Sequence, residues 1–443
     1  MEGRNSSEKQ ESKAKVFIKT YGCTANQADS VFMSQKLLDS GFEIVRSLKD
    51  SDLVIVNSCT VKQIAENKFW KSVRDAKKLG KKVIAAGCVP KAEESLLDRL
   101  KDCSIVSPRD IDKISDIAQS EIEGKHLSFL DGKEKKLYSI NLPLRNQIVG
   151  IVPISEGCLG NCSYCKTRFA RGELYSYDEK DIIRQINHYI TLGAKELWIT
   201  SQDTGCYGLD INTTIVNLLK EISKIKGDYF IRLGMMNVNY AYRFRKEFAE
   251  IINNSDNFFR FLHIPIQSAN NRVLGLMRRQ YGSEMIYKTF NYLKDNIKDL
   301  TLSTDIICGF PSESEEEFAD SLKFIEDIKP GVLNISRFWP RPGTDAAKMK
   351  QFYNQVMIKR AAKLRELFNN IAEQENRKWI DWHGEAIYDE IGKEKSMILR
   401  NRSYKQIIIK EKDRHKKDLK LGDKIKVKIN NVTSYDLRAK IYD

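Results

Sequence analysis

The run Cys158-Leu159-Gly160-Asn161-Cys162-Ser163-Tyr164-Cys165 constrains this chain more than any other stretch. Three thiolates at that spacing sit on one tight loop and suit three irons of a four-iron cluster, which leaves the fourth iron without a protein ligand. Electron-transfer ferredoxins close that position with a fourth cysteine. An open metal position marks a catalytic site rather than a structural one. A zinc knuckle is the competing reading, but no fourth Cys or His lies nearby at zinc-ligand spacing.

The chain is 443 residues long, enough for roughly two to four domains of ordinary size. It holds no apolar run long enough to cross a bilayer. Its first residues, MEGRNSSEKQESKAK, are polar and lack the apolar core of a signal peptide. The nine cysteines are therefore expected in a reducing cytosol, where metal ligation or catalysis outweighs disulfide formation. An odd number also argues against a closed disulfide framework. The net charge of +14 favours a polyanionic partner.

Residues 16–20, 53–56 and 83–86 read as short buried strands separated by helical patterns, which predicts an open parallel α/β sheet of the Rossmann or flavodoxin kind. Each strand runs into a cysteine: Tyr21-Gly22-Cys23, Asn57-Ser58-Cys59 and Gly87-Cys88. Ligands bind at the carboxyl ends of such strands, so Cys23, Cys59 and Cys88 can converge as the ligands of a second cluster. The glycines before Cys23 and Cys88 would let the backbone approach a bulky group. Cys103, Cys206 and Cys308 read instead as ordinary buried thiols, with Cys206 a bystander near the site.

After a lysine-rich link near residues 123–137, a strand at 148–154 delivers the cysteine loop. Further strands at 196–200, 230–233, 261–266, 302–307 and 332–337 alternate with helices, the pattern of a whole or partial barrel whose chemistry sits at the strand C-termini. Those ends carry SQDTG, GMMN, QSANN, CGFPSE and WPRPGT. From residue 383 the pattern changes to short strands at 385–390, 396–400, 405–409, 424–429 and 438–442, a small β-barrel. Residues 384–443 hold 16 Lys/Arg against 10 Asp/Glu, so six of the fourteen surplus positive charges lie in this short tail. Concentrated positive charge supplies phosphate affinity without sequence specificity. The expected organisation is a disordered tail over 1–14, an N-terminal domain over 15–125, a central domain over 140–380 and a tail domain over 383–443.

Taken in order, YGC, NSC, AGC, CLGNCSYC, FLHIPIQS, TDIICGFPSE and WPRPGT resemble the methylthiotransferase branch of the radical S-adenosylmethionine (SAM) superfamily, and they cover nearly the whole chain. The resemblance implies two [4Fe–4S] clusters, one on Cys158, Cys162 and Cys165 and one on Cys23, Cys59 and Cys88. It also implies SAM as both radical source and methyl donor, and insertion of a methylthio group into an unreactive C–H bond. The tail resembles a TRAM RNA-binding domain. TYGCTANQADS, CKTRFARGELYSY, SQDTGCYG and RLGMMN resemble the archaeal and eukaryotic tRNA branch, which acts on N6-threonylcarbamoyladenosine at position 37 of the anticodon loop. Two positions depart from that branch: Val238 stands where it has proline and Ser312 where it has glycine.

Gln202, Asp203, Gln267, Ser268, Asp305 and Glu313 are expected to hydrogen-bond SAM or substrate. Arg171 and Arg341 are expected to pair with an oxyanion such as the threonyl carboxylate. The implied setting is cytoplasmic, with an electron-donor protein and a sulfur donor and without a membrane. The competing readings are an isopentenyladenosine or ribosomal-protein methylthiotransferase, a radical SAM RNA methyltransferase that inserts no sulfur, and a non-catalytic metal-stabilised RNA-binding protein.

Overall fold

The segment LVIVNS (Leu53–Ser58) is buried at every residue, as only a strand covered on both faces can be. It is the third strand of a six-stranded parallel sheet made from β1 (Lys15–Thr20), β2 (Glu43–Ile44), β3 (Leu53–Ser58), β4 (Lys82–Gly87), β5 (Ser104–Val106) and β6 (Ser128–Phe129). The computed structural model describes residues 14–61, 63–132, 142–413 and 418–442. The tail expected over 1–14 falls outside them but for Ala14. The chain divides into two compact units, Met1–Lys135 and Lys136–Asp443.

In the first unit the strand order is β2-β1-β3-β4-β5-β6. The sequence reversal between β1 and β3 is the topological switch point at which open sheets of this order bind ligands. Phe69, Trp70 and Val73 of the helix Gln63–Lys78 pack on Val54 and Val56 of β3 and on Val83 and Ala85 of β4. Strands β2, β5 and β6 escape a sequence reading because they are two or three residues long, too short for a period to register.

The second unit begins with β7 (Val149–Pro153), followed by the two-residue strands β8 (Ser155–Glu156) and β9 (Tyr175–Ser176). Strands β10 (Glu196–Thr200), β11 (Phe230–Leu233), β12 (Phe261–His263), β13 (Thr301–Cys308) and β14 (Val332–Arg337) follow. They form two parallel sheets, β7-β10-β11 and β12-β13-β14, joined by a bridge between Ile231 and Phe258. The result is a partial barrel with helices outside. The strand expected over 261–266 stops at His263, because Pro265 has no amide to donate to a ladder.

The helix Asn354–Arg377 leads into a closed five-stranded barrel of β15 (His383–Ile391), β16 (Met397–Arg400), β17 (Gln406–Ile409), β18 (Lys424–Val432) and β19 (Leu437–Ile441). Met397, Leu399, Ile407, Val427 and Leu437 fill its core. Along β18 the lysines at 424, 426 and 428 face out while Ile425, Val427 and Ile429 face in, the period of two that makes a basic outer face on an apolar core. This barrel closes the amino-terminal end of the partial barrel: Arg260 N donates to Arg402 O at 2.7 Å, Arg402 Nη2 donates to Ser255 O at 2.7 Å, and Lys424 pairs with Asp228.

Both departures from the resembled branch have a local cause. Val238 is the first residue of a helix, Val238–Arg243, where proline is favoured but not required. Ser312 sits at φ 68°, a left-handed conformation that suits glycine. Ser312→Gly is expected to stabilise the protein by about 1 kcal/mol, read as a rise in thermal midpoint of the full chain. A lowered midpoint would show that the serine is held there by something stronger than backbone preference.

Candidate active site

The three cysteines of the first unit meet at the switch point. Cys23 caps the helix Thr24–Asp39, Cys59 directly follows β3, and Cys88 opens the short helix Cys88–Ala92. Two wholly buried asparagines hold them together. Asn26 Nδ2 donates to Ser58 O at 2.9 Å and to Cys88 Sγ at 3.8 Å, and Asn26 Oδ1 accepts from Cys23 Sγ at 3.4 Å. Asn57 Nδ2 donates to Asn26 O at 2.8 Å, and the Val61 amide donates to Cys59 Sγ at 3.3 Å. A hydrogen bond with Cys23, followed by burial, holds the Cys59 thiol well above its ordinary pKa.

The glycines here make room for the cysteines' own supports. A Cβ on Gly22 would lie 2.4 Å from Asn26 Oδ1 and 2.7 Å from the Cys59 Cβ, and one on Gly87 would lie 2.4 Å from Asn57 Oδ1. Neither asparagine stands out in the sequence, since polar residues near a cysteine are common. The spacing of Asn26 three residues after Cys23 and Asn57 two before Cys59 is the signal that could have found them.

In the second unit the Cys158–Cys165 loop leaves β7 through the pairing of Glu156 with Tyr175. Gln202 Oε1 accepts from the Gly157 amide at 2.7 Å. Ser163 ties the loop down through Oγ to Leu276 O at 2.7 Å and through its amide to Met277 O at 3.1 Å. The sulfurs receive donors: Gly160 N to Cys158 at 3.2 Å and Arg279 Nη1 to Cys162 at 3.1 Å. Beside the loop opens a cleft of about 350 Å³ lined by Gly160, Cys162, Ser163, Cys165, Phe169 and Thr344.

Arg279 was not singled out by sequence and is central here. It is reached through Tyr281 OH at 2.6 Å, Pro265 O at 3.3 Å and Asn237 Oδ1. Burial works against its charge, but Tyr164, Tyr281 and Cys162 around it more than offset this and hold its pKa above the ordinary guanidinium value. Asn237 in turn donates to Asp203 at 2.6 Å. A chain of hydrogen bonds thus runs from the end of β10 through the end of β11 to the cysteine loop.

Several residues expected to touch ligand hold the loops instead. Asp203 is wholly buried, accepts from the Gly205 and Asn237 amides at 3.1 Å each, and has its pKa raised by burial. Ser268 Oγ accepts from the Asn270 amide at 3.3 Å. Gln267 bends the chain at φ 69°, its amide donating to Asp305 O at 2.8 Å. Glu313 is buried against Arg360 at 2.9 Å, its pKa pushed up to about 7 by burial. Arg171 is 1% exposed and lies 3.3 Å from Glu156, while Arg341 is buried with its carbonyl capped by Thr344.

Asp305 does face the barrel interior, 2.9 Å from His263 Nε2 and 2.6 Å from Asn334 Nδ2. Cys206 is wholly buried with its sulfur 3.1 Å from Asp203 O, and a hydrogen bond from it to Cys158 would lower the Cys158 pKa. Cys103 and Cys308 are buried thiols whose pKa values burial raises to about 11 and about 12.

Among the described residues, no three Cys, His, Asp or Glu side chains are grouped as ligands of one metal ion. An iron–sulfur cluster spreads its thiolates over several irons, and hydrogen bonds to those sulfurs are part of how a protein holds and tunes it. Three cysteines carrying amide and guanidinium donors fit such a group on the second-unit loop. The same donor chemistry, with Asn26 in place of arginine, fits one at the first-unit switch point.

Residues 15–107 match the group described as Uncharacterized protein family UPF0004, and residues 152–325 match the Radical SAM superfamily. A Probable threonylcarbamoyladenosine tRNA methylthiotransferase from Pyrococcus horikoshii is 38% identical over 400 residues, covering 90% of this chain and 94% of that protein. The Homo sapiens Threonylcarbamoyladenosine tRNA methylthiotransferase is 36% identical over 403 residues, covering 89% and 69%. A solved structure of the radical S-adenosylmethionine methyltransferase TsrM from Kitasatospora setae aligns at TM-score 0.57 and 13% identity over 76% of this chain and 77% of that one, a likeness of fold alone.

Replacing Arg279 tests the contact at Cys162. Arg279→Gln removes a positive charge and a hydrogen bond from a ligand sulfur, so the cluster's reduction potential should become more negative. The measurement is a redox titration of anaerobically reconstituted protein followed by electron paramagnetic resonance. An unchanged potential would show that the guanidinium does not reach the ligand sulfur.

Proposed function

The chain belongs to the radical SAM family of threonylcarbamoyladenosine tRNA methylthiotransferases, and from that membership we propose that it converts N6-threonylcarbamoyladenosine at tRNA position 37 to the 2-methylthio form with two [4Fe–4S] clusters. The observation that carries this reading is similarity at 36–38% identity along about nine-tenths of the chain to archaeal and vertebrate members. The reaction class is sulfur-group transfer to tRNA. The cytoplasmic setting, the electron-donor protein and the sulfur donor complete the proposal. Among the described residues no helix is long and apolar enough to cross a membrane.

When bound, a cluster with an open iron and SAM supply the radical and the methyl group that an aromatic C–H bond requires, since acid–base groups cannot activate it. The protein's own work is holding and orienting. Cys158, Cys162 and Cys165 would hold the SAM cluster, with Arg279 compensating its negative charge. The convergence of Cys23, Cys59 and Cys88 on Asn26 supports the second cluster. The outward lysines of β18 suit the phosphates of a folded RNA, whose contacts position without reading sequence. Position 37 lies in a single-stranded loop, so its base can be splayed out without breaking a helix.

The test is reconstituted enzyme given SAM, a sulfide source, a reductant and tRNA with or without the threonylcarbamoyl group. Nucleoside mass spectrometry should find the methylthio product on threonylcarbamoyladenosine alone. Cys162→Ala should abolish SAM cleavage, while Cys59→Ala should leave SAM cleavage largely intact and stop sulfur insertion. Equal product on both tRNAs, or activity on isopentenyladenosine tRNA alone, would overturn the substrate. Full product from Cys59→Ala would overturn the second cluster.

A further inference from the structure

Among the described residues, one cation in the interior of the partial barrel has neither an ion-pair nor a hydrogen-bond partner. Arg232, on β11, points its guanidinium among three rings: Trp198 at 5.4 Å, Phe261 at 5.3 Å and Tyr404 at 5.4 Å. Among the described residues its side chain makes no ion pair and no hydrogen bond, and its buried Nε is unpartnered. Buried polar groups are almost always satisfied, and an arginine that is not has a reason for being so. Arginine forks match planar oxyanions bidentately, and aromatic walls leave its N–H edge as the open side.

The surrounding charges do not occupy it. Arg400 is engaged by Asp389 at 3.3 Å and Lys405 by Asn376 at 2.9 Å. Glu196 is wholly buried, gives one oxygen to Trp198 Nε1 at 2.9 Å, and has its pKa pushed up to about 8 by burial. Burial and Asp389 favour its neutral form, against the pull of Arg400 and Arg232. Asp305 is taken by His263 and Asn334 on the neighbouring strands.

These residues frame a chamber of about 340 Å³ lined by Arg232, His263, Asn334, Arg400, Tyr404 and Lys405, among others. It sits at the amino-terminal end of the partial barrel, against the tail barrel, and its strand residues lead up toward the cysteine loop. Pro265 O, two residues past His263, accepts from the same Arg279 side chain that donates to Cys162. Two residues of extended chain span roughly 7 Å. Most barrel interiors are filled by apolar side chains; this one is polar, partly empty and positively charged beneath the loop.

We propose that Arg232 reads the threonyl carboxylate of the substrate, with the N6 substituent lowered into this chamber and the C2 edge of the adenine left facing the cysteine loop. The inference rests on the functional reading above and gives it a specificity residue. The C6–N6 and C2–H bonds diverge on either side of N1 of the six-membered ring, so the substituent can descend while the reacting carbon stays above. His263 and Asn334 lie where the hydroxyl and carbamoyl groups would pass. The assignment takes the place of Arg171, which is held by Glu156.

The experiment is a competition between two tRNAs in one reaction, one carrying threonylcarbamoyladenosine and one carrying the same nucleoside with its carboxylate converted to a neutral amide. The ratio of products is independent of how much of each enzyme preparation is active, so poor folding of a variant does not blur it. The native enzyme should prefer the carboxylate by roughly 10- to 100-fold, the worth of a buried charged hydrogen bond. Arg232→Gln should bring the ratio close to one, and Arg232→Lys should retain part of it. A native preference that survives unchanged in Arg232→Gln would overturn the Arg232 assignment and leave the functional reading standing. Failure of the native enzyme to modify either tRNA would overturn both.

Discussion

The contact on which the second unit turns is the Arg279 guanidinium against the Cys162 sulfur. A cysteine loop that must carry a negatively charged cluster needs positive charge close by, yet a buried arginine is stable only when its donors are satisfied. Arg279 meets both demands by spending its remaining donors on Asn237, Tyr164, Tyr281 and Pro265 O. Those partners sit beyond the ends of different strands, so one side chain fixes the strand ends relative to the loop. Asp203 and Cys206 extend the same network beneath Cys158.

The first unit solves the matching problem without a charge. Its sheet reverses strand order between the parallel β1 and β3, and the three cysteines follow β1, β3 and β4. Two buried asparagines, each able to donate and accept, hold the loops together. The two missing Cβ atoms at Gly22 and Gly87 let those asparagines approach. A neutral amide makes a weaker hydrogen bond to sulfur there than a guanidinium does.

Strands such as Glu196–Thr200, Phe230–Leu233 and Val332–Arg337 were legible in the sequence because β-branched and apolar residues run between clear breakers. Six cysteines were legible because their spacing and their place after strands are unusual. The supporting residues were not. Arg279 stands in MRRQY and Asn26 in CTANQ, ordinary polar stretches whose meaning depends on what the fold brings next to them. The reverse error has the same source. Glu313, Asp203 and Arg171 stand in strand-end loops where ligand contacts are expected, but a loop that must itself be held in place consumes many of its own polar groups. Asp305 lies within β13, turned toward His263 and Asn334 on the neighbouring strands.

The inward positions of the partial barrel give the account its chemical selectivity. Trp198, Arg232, His263, Asp305 and Asn334 replace the apolar filling of a closed barrel, and the tail barrel, seated at the opposite end from the cysteine loop, contributes Tyr404 to the ring around Arg232. The most direct measurement of the central claim is nucleoside mass spectrometry of total tRNA from cells with and without this gene. The account predicts that loss of the gene removes 2-methylthio-N6-threonylcarbamoyladenosine while N6-threonylcarbamoyladenosine accumulates. An unchanged level of the methylthio nucleoside, or loss of a methylthio group from a different nucleoside, would contradict it.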